Sequence, residues 1–91
     1  MALEQRIVRF SGNVQGVGFR YTACTIARRH KVTGHVRNMS DGDVECLVEG
    51  QAEEIDAFLR ELGEAMADYV HRRNQRAAQF TGKFQSFGVR F

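Results

Sequence analysis

The chain reads as a mixed α+β domain, and three features predict it. Apolar residues alternate with polar ones over residues 6–14, recur at spacings of three and four over 19–31 and 51–62, and an Asp-Gly pair separates two further β-prone runs. A period of two marks a half-buried strand, a period near 3.6 an amphipathic helix, and Asp-Gly between β-prone runs a hairpin turn. The predicted order is strand, helix, strand, strand, helix, edge strand, strand.

In the first strand Val8 and Phe10 share one face and Arg9 and Ser11 the other, and Gly12 ends it. The first helix, predicted over residues 19–31, stacks Ala23, Ile26 and Ala27 and gathers Arg28, Arg29 and Lys31 late, where the helix dipole favours cations. Residues 33–38 and 43–49 form the hairpin around Met39-Ser40-Asp41-Gly42. Val44, Cys46 and Val48 are expected to face the core, with Glu45 and Glu49 on an open, solvated face where Leu47 is an apolar exception. The second helix carries the stripe Ile55, Phe58, Leu59 and Leu62. Periodicity alone would let it run on through Met66, Tyr69 and Val70, and Gly63 opposes this only weakly. Residues 69–76 read as an edge strand, being mostly polar. Phe84, Phe87, Val89 and Phe91 read as a last strand after a turn at Gly82.

With 91 residues the chain is expected to form one domain, with no room for a second catalytic one. Hydrophobic residues at 43% and charged residues at 26% suit a globular protein. A net charge of +2 is too weak by itself to argue for nucleic acid or an anionic membrane. No apolar run approaches the roughly 20 residues of a membrane helix, and residues 1–6 lack the apolar centre of a signal peptide, so the cytoplasm is the expected compartment. Cys24 and Cys46 lie in different elements without metal-site spacing and are expected to be free thiols. His30, His35 and His71 are scattered and read as structural or solvated.

The stretch Gly12-Asn13-Val14-Gln15-Gly16-Val17-Gly18-Phe19-Arg20 carries the chemistry. Glycines let successive main-chain N–H groups converge, a helix starting near Phe19 adds unpaired amides, and Arg20 adds a planar guanidinium fork, which together make an anion cradle. A nucleotide-binding loop would need Lys and Ser or Thr where Phe19 and Arg20 stand, and a dinucleotide fingerprint would need G-x-G-x-x-G spacing. The plainer alternatives are a glycine-rich turn that binds nothing, with Arg20 a surface residue, and an Asn38 that only caps the hairpin turn.

Val14-Gln15-Gly16-Val17-Gly18-Phe19-Arg20, followed by Gly34-His35-Val36-Arg37-Asn38, Asp41-Gly42-Asp43-Val44-Glu45 and Gly50, closely resembles the acylphosphatase family over roughly residues 7–50. The resemblance implies a ferredoxin-like two-layer sandwich, with two helices on one face of an antiparallel sheet in the order βαββαβ plus a short final strand. It also implies that the second helix stops near residues 63–66 and that the chain extends from Tyr69. The family's usual glycine-proline break is missing around Met66-Ala67, and Arg73 stands where an apolar strand residue is usual.

The activity implied is hydrolysis of small acyl phosphates to a carboxylate and inorganic phosphate, without cofactor or metal. Carried onto this sequence, Gln15, Gly16, Val17, Gly18, Phe19 and Arg20 hold the phosphate, while Arg20 and Asn38 are catalytic. Phosphoryl transfer asks mainly for positioning and charge stabilisation, and a carboxylate leaving group with a parent pKa of about 4 needs no protein acid. Asn38 cannot take a proton, but its carboxamide can orient a water. A monomer acting on a small molecule, without nucleic acid or membrane, is expected. Two other readings remain: a phosphate-binding regulatory domain with little turnover, and an RNA-binding module. The latter rests on Phe87-Gly88-Val89-Arg90-Phe91 and the basic Arg72, Arg73 and Arg76.

Overall fold

A computed structural model describes residues 2–91 and contains β1 (Leu3–Gly12), α1 (Phe19–Ala27), β2 (Val32–Asn38), β3 (Val44–Gln51), α2 (Ala52–Ala65), β4 (Val70–Ala78) and β5 (Phe87–Val89). The strands form one sheet in the order β4-β1-β3-β2-β5. All neighbours are antiparallel except β2 and β5, which run parallel. Val8 and Phe10 of β1, Val36 of β2, and Val44, Cys46 and Val48 of β3 are completely buried beneath the two helices. Ala23 and Ile26 of α1 and Ile55, Phe58, Leu59 and Leu62 of α2 close the same core. Burying side chains of this size contributes about 1.5–3 kcal/mol each, which makes this layer the main source of stability. The expected α+β sandwich is the architecture observed.

The first helix is shorter than its periodicity predicts. It ends at Ala27, and the amides of Arg29 and His30 turn back to Ile26 and Ala27 three residues earlier. Val32 then pairs with Gly50, so the sheet captures a segment that amphipathic spacing alone would have kept helical. Of the late cations, Arg29 links the turn after α1 to α2 by pairing with Glu61, whose carboxylate also lies 2.9 Å from His30 Nε2.

The second helix stops at Ala65, and Met66 leaves helical geometry while its side chain stays buried. Tyr69 and Val70 do not continue the stripe. The amides of both donate to the Met66 carbonyl, and the Tyr69 carbonyl accepts from Asn13 N at 2.9 Å, which ties the chain to the end of β1. A Cβ at Gly12 would stand 2.5 Å from that Tyr69 oxygen, so only glycine permits the approach. β4 is an outer strand exposed almost throughout, and its charges discourage pairing with another chain. Arg73, the apparent misfit, lays its guanidinium carbon 5.8 Å from the Phe10 ring centre and shields that edge of the core.

Glu49 corrects the expectation of a solvated face. It is 1% exposed, because residues 79–86 run from β4 at one edge of the sheet to β5 at the other and cover the face away from the helices. Glu49 accepts hydrogen bonds from Gln5 Nε2 (2.8 Å), Thr81 N (2.9 Å), Thr81 Oγ1 (2.8 Å) and Gly82 N (3.0 Å). Burial pushes its pKa up, but these four donors outweigh burial and hold it below the usual carboxylate value. Leu47 sits opposite Ile7 on this face, and beside them His35 meets the Phe84 ring edge-on at 5.7 Å. Only Phe87–Val89 of the aromatic tail is regular strand.

Candidate active site

The loop between β1 and α1 is bolted at both ends. Val14 is fully buried, and Phe19 is 2% exposed with its ring 5.0 Å from that of Phe10. Between these anchors Gly16 and Gly18 both have φ near 78°, the left-handed region that side chains with a Cβ seldom adopt. Both are open to solvent, and a Cβ on either would meet nothing within 4 Å. Gly18 also precedes α1, and its carbonyl takes the first helical bond from Thr22 N at 2.9 Å. Among the described residues, the main-chain N–H groups of residues 15–21 have no internal acceptor. A cluster of amides without internal acceptors at a helix start has the composition and the dipole direction that favour an anion.

Arg20 is half-buried and makes no ion pair or side-chain hydrogen bond among the described residues. Its guanidinium carbon lies 5.4 Å from the centre of the Phe91 ring, a cation–π contact that leaves the N–H fork unspent. Asn38 ends β2 opposite Val44 and is exposed. Gly16, Gly18, Phe19, Arg20 and Asn38 line one cavity of about 570 Å³, so residues 18–22 positions apart in the chain converge on a shared space.

Two predicted phosphate-site residues behave differently. The Gln15 side chain turns away from the cavity and donates to the carbonyls of Met39 (2.8 Å) and Asp43 (2.9 Å). It therefore ties the cradle to the hairpin that carries Asn38. Val17 is partly buried against the core, so its side chain anchors the loop while its amide stays free.

The hairpin is itself held from β1. Arg9 pairs with Asp41 at 2.6 Å and with Asp43 at 3.0 Å, and Asp43 N donates to Asp41 Oδ1 at 3.0 Å. The Asp43 amide, followed by Arg9, keeps the Asp41 carboxyl below its ordinary pKa. Sequence reading missed this framework and the Glu49 anchor. No local pattern points to either, because Thr81 and Gly82 lie 32 and 33 residues beyond Glu49 and reach it only through the crossing strap.

Cys24 is half-buried and Cys46 fully buried, both as free thiols whose pKa is raised by burial. That is the opposite of what a nucleophile needs. No group of three His, Cys, Asp or Glu side chains is placed to hold a metal ion among the described residues. Nor is any helix among them long and apolar enough to cross a membrane.

An α+β sandwich in which amides without internal acceptors, an arginine without an ion pair and a carboxamide border one cavity has the donor set that suits a phosphate-handling protein. The acylphosphatase family model matches residues 6–89. An acylphosphatase of Bacillus licheniformis is 37% identical over 91 residues, covering 98% of this chain and 99% of the relative. The crystal structure of acylphosphatase from Bacillus subtilis superposes with a TM-score of 0.84 at 28% identity, covering 99% of this chain and all of that one. An acylphosphatase structure from Coxiella burnetii matches with a TM-score of 0.84 at 31% identity, covering 97% and 93%. The chain belongs to the acylphosphatase family and is an enzyme of that family.

Proposed function

We propose that the cavity hydrolyses small acyl phosphates, with the phosphoryl oxygens held by the amides of residues 15–20 and by the Arg20 guanidinium, and with water oriented by Asn38. The water oxygen bonds to phosphorus as the bond from phosphorus to the acyl oxygen breaks. The carboxylate leaves unprotonated, and the water's proton passes to a phosphate oxygen. Preorganised donors gain strength as charge gathers on the equatorial oxygens, so the cradle stabilises the transition state more than the ground state.

One observation carries this reading: the amides of residues 15–21 and the Arg20 side chain have no internal hydrogen-bond acceptor among the described residues, and Gly16, Gly18, Phe19 and Arg20 border the same cavity as Asn38. An anion with three acceptor oxygens satisfies them together. The division of labour predicts that Asn38→Ala lowers kcat about a hundredfold while inorganic phosphate binds as before. Benzoyl phosphate turnover above its spontaneous hydrolysis, measured beside phosphate titration, tests it. Wild-type turnover no faster than spontaneous hydrolysis would refute the enzyme reading, and full activity of Asn38→Ala would refute the role of Asn38.

The reaction as written uses no metal, so excess chelator should leave the rate unchanged. We further infer a monomer working in the cytoplasm on a small substrate rather than on nucleic acid. The weak net charge of +2 supports this, and a single species near 10.3 kDa in sedimentation would agree with it.

A further inference from the structure

The cavity extends beyond the phosphate cradle. On one side stands α1, presenting Tyr21 and Cys24, and on the other β5 and its extension, presenting Phe87, Val89 and Phe91. Five large hydrophobic side chains are exposed among the described residues, and three of them, Tyr21 (75%), Val89 (40%) and Phe91 (99%), border this one cavity. Scattered exposed apolar residues are ordinary, but a cluster beside a polar catalytic centre marks where an apolar part of a ligand is covered. The Arg20 guanidinium carbon lies 5.4 Å from the Phe91 ring centre, so that exposed aromatic surface adjoins the proposed phosphoryl position.

Resting on the reading of the cavity as an acyl phosphate site, we propose that Tyr21, Val89 and Phe91 form a subsite for the acyl group, and that it selects aromatic over short aliphatic acyl phosphates. The cradle grips the phosphoryl group common to every substrate and cannot discriminate among them. Discrimination falls to whatever borders the acyl group, and here that border carries Tyr21 and Cys24 on one side and Phe87, Val89 and Phe91 on the other, with Arg28 as the charged side chain besides Arg20. Offset stacking on Tyr21 or Phe91 adds to plain burial of a phenyl ring, and contacts with a remote part of the substrate raise its specificity constant. Tyr21 follows Arg20 directly in α1, and β5 is fixed beside β2 by pairing of Val36 with Val89. Tyr21 and Val89 are therefore held by the elements that hold Arg20 and Asn38, and Phe91 follows Arg90, whose amide donates to the Val36 carbonyl at 2.9 Å.

Benzoylphosphonate and acetylphosphonate, which lack the scissile bridging oxygen, report acyl preference by calorimetric titration without turnover. The wild type should bind the benzoyl compound about tenfold more tightly, and the ratio should shrink toward one in Tyr21→Ser and in Phe91→Ala. Both residues are exposed, so neither change empties the core. Equal affinities in the wild type overturn the subsite. A ratio that survives both substitutions, with both ligands weakened alike, overturns it too and leaves Phe91 as a support for Arg20. Acetyl phosphate turnover in the same wild-type sample separates the cases: turnover without acyl preference refutes the subsite alone, whereas absence of turnover refutes the enzyme reading.

Discussion

Two connecting segments of this molecule handle main-chain amides in opposite ways. In the loop of residues 13–18 and the start of α1, seven N–H groups face outward without an internal acceptor. In the strap of residues 79–86, the amides of Thr81 and Gly82 converge on the buried carboxylate of Glu49. The strap is a small anion nest that carries its own anion, and the loop is the one proposed to take its anion from a ligand. Where the protein supplies the negative charge, the nest adds stability; where it withholds it, the nest is available to a ligand. The two nests lie in different connections, one between β1 and α1 and the other between β4 and β5.

The sharpest break of that contrast is Arg20→Ala, which should lower kcat/KM about a thousandfold while the melting temperature stays put. Phosphate added to the wild type should raise its melting temperature through ligand linkage, and this rise should vanish in Arg20→Ala. An undiminished rise would show that the cradle's ligand does not need the guanidinium.

Glu49→Ala should do the reverse. It strands two amides, a hydroxyl and the Gln5 amide, at a cost of about 2–3 kcal/mol, or roughly 10–20 °C in melting temperature for a domain of this size. Phosphate should still stabilise the variant. An unchanged melting temperature would mean that water satisfies the strap just as well.

Acid should expose the same network. Burial, then Arg90 and Arg37, lower the His35 pKa from 6.5, and the hydrogen-bond donors around Glu49 lower its pKa from 4.5. For His35 the unfolded chain takes up the proton first, so its contribution is lost as pH falls from 6.5 toward the lower folded value. For Glu49 the contribution is present above 4.5 and lost as pH falls through the depressed folded value. Chemical denaturation across pH should therefore show stability declining in two stages, the first missing in His35→Gln.

Smaller effects sharpen the cradle itself. Gly18→Ala forces a Cβ into the left-handed region at a folding cost of about 1–2 kcal/mol without any clash, and it should weaken phosphate by more than that by turning amides out of line. Equal phosphate affinity would make Gly18 merely a bend. Gln15→Ala should cost under about 1 kcal/mol in stability, since the side chain is exposed, and about tenfold in kcat through a looser hairpin. Loss confined to stability would leave the tether without a role in catalysis.

Much of this was legible in the chain itself. The core stripe of Ile55, Phe58, Leu59 and Leu62, the alternation of Val44, Cys46 and Val48, and the Asp-Gly hairpin are local patterns, and local periodicity is what distinguishes helix from strand. The glycine-rich loop and the helix start after it were legible too, because left-handed glycines and a helix start are short-range properties. Tertiary structure alone decided where α1 and α2 stop, since pairing of Val32 with Gly50 and capture of Tyr69 by Asn13 overrule spacing that would have prolonged both helices. It alone decided that Glu49 is buried, that the Gln15 side chain serves the hairpin, and that Phe91 lies over Arg20. Each depends on segments distant in sequence meeting across the sheet, and no local pattern encodes which partner a polar or aromatic side chain will find.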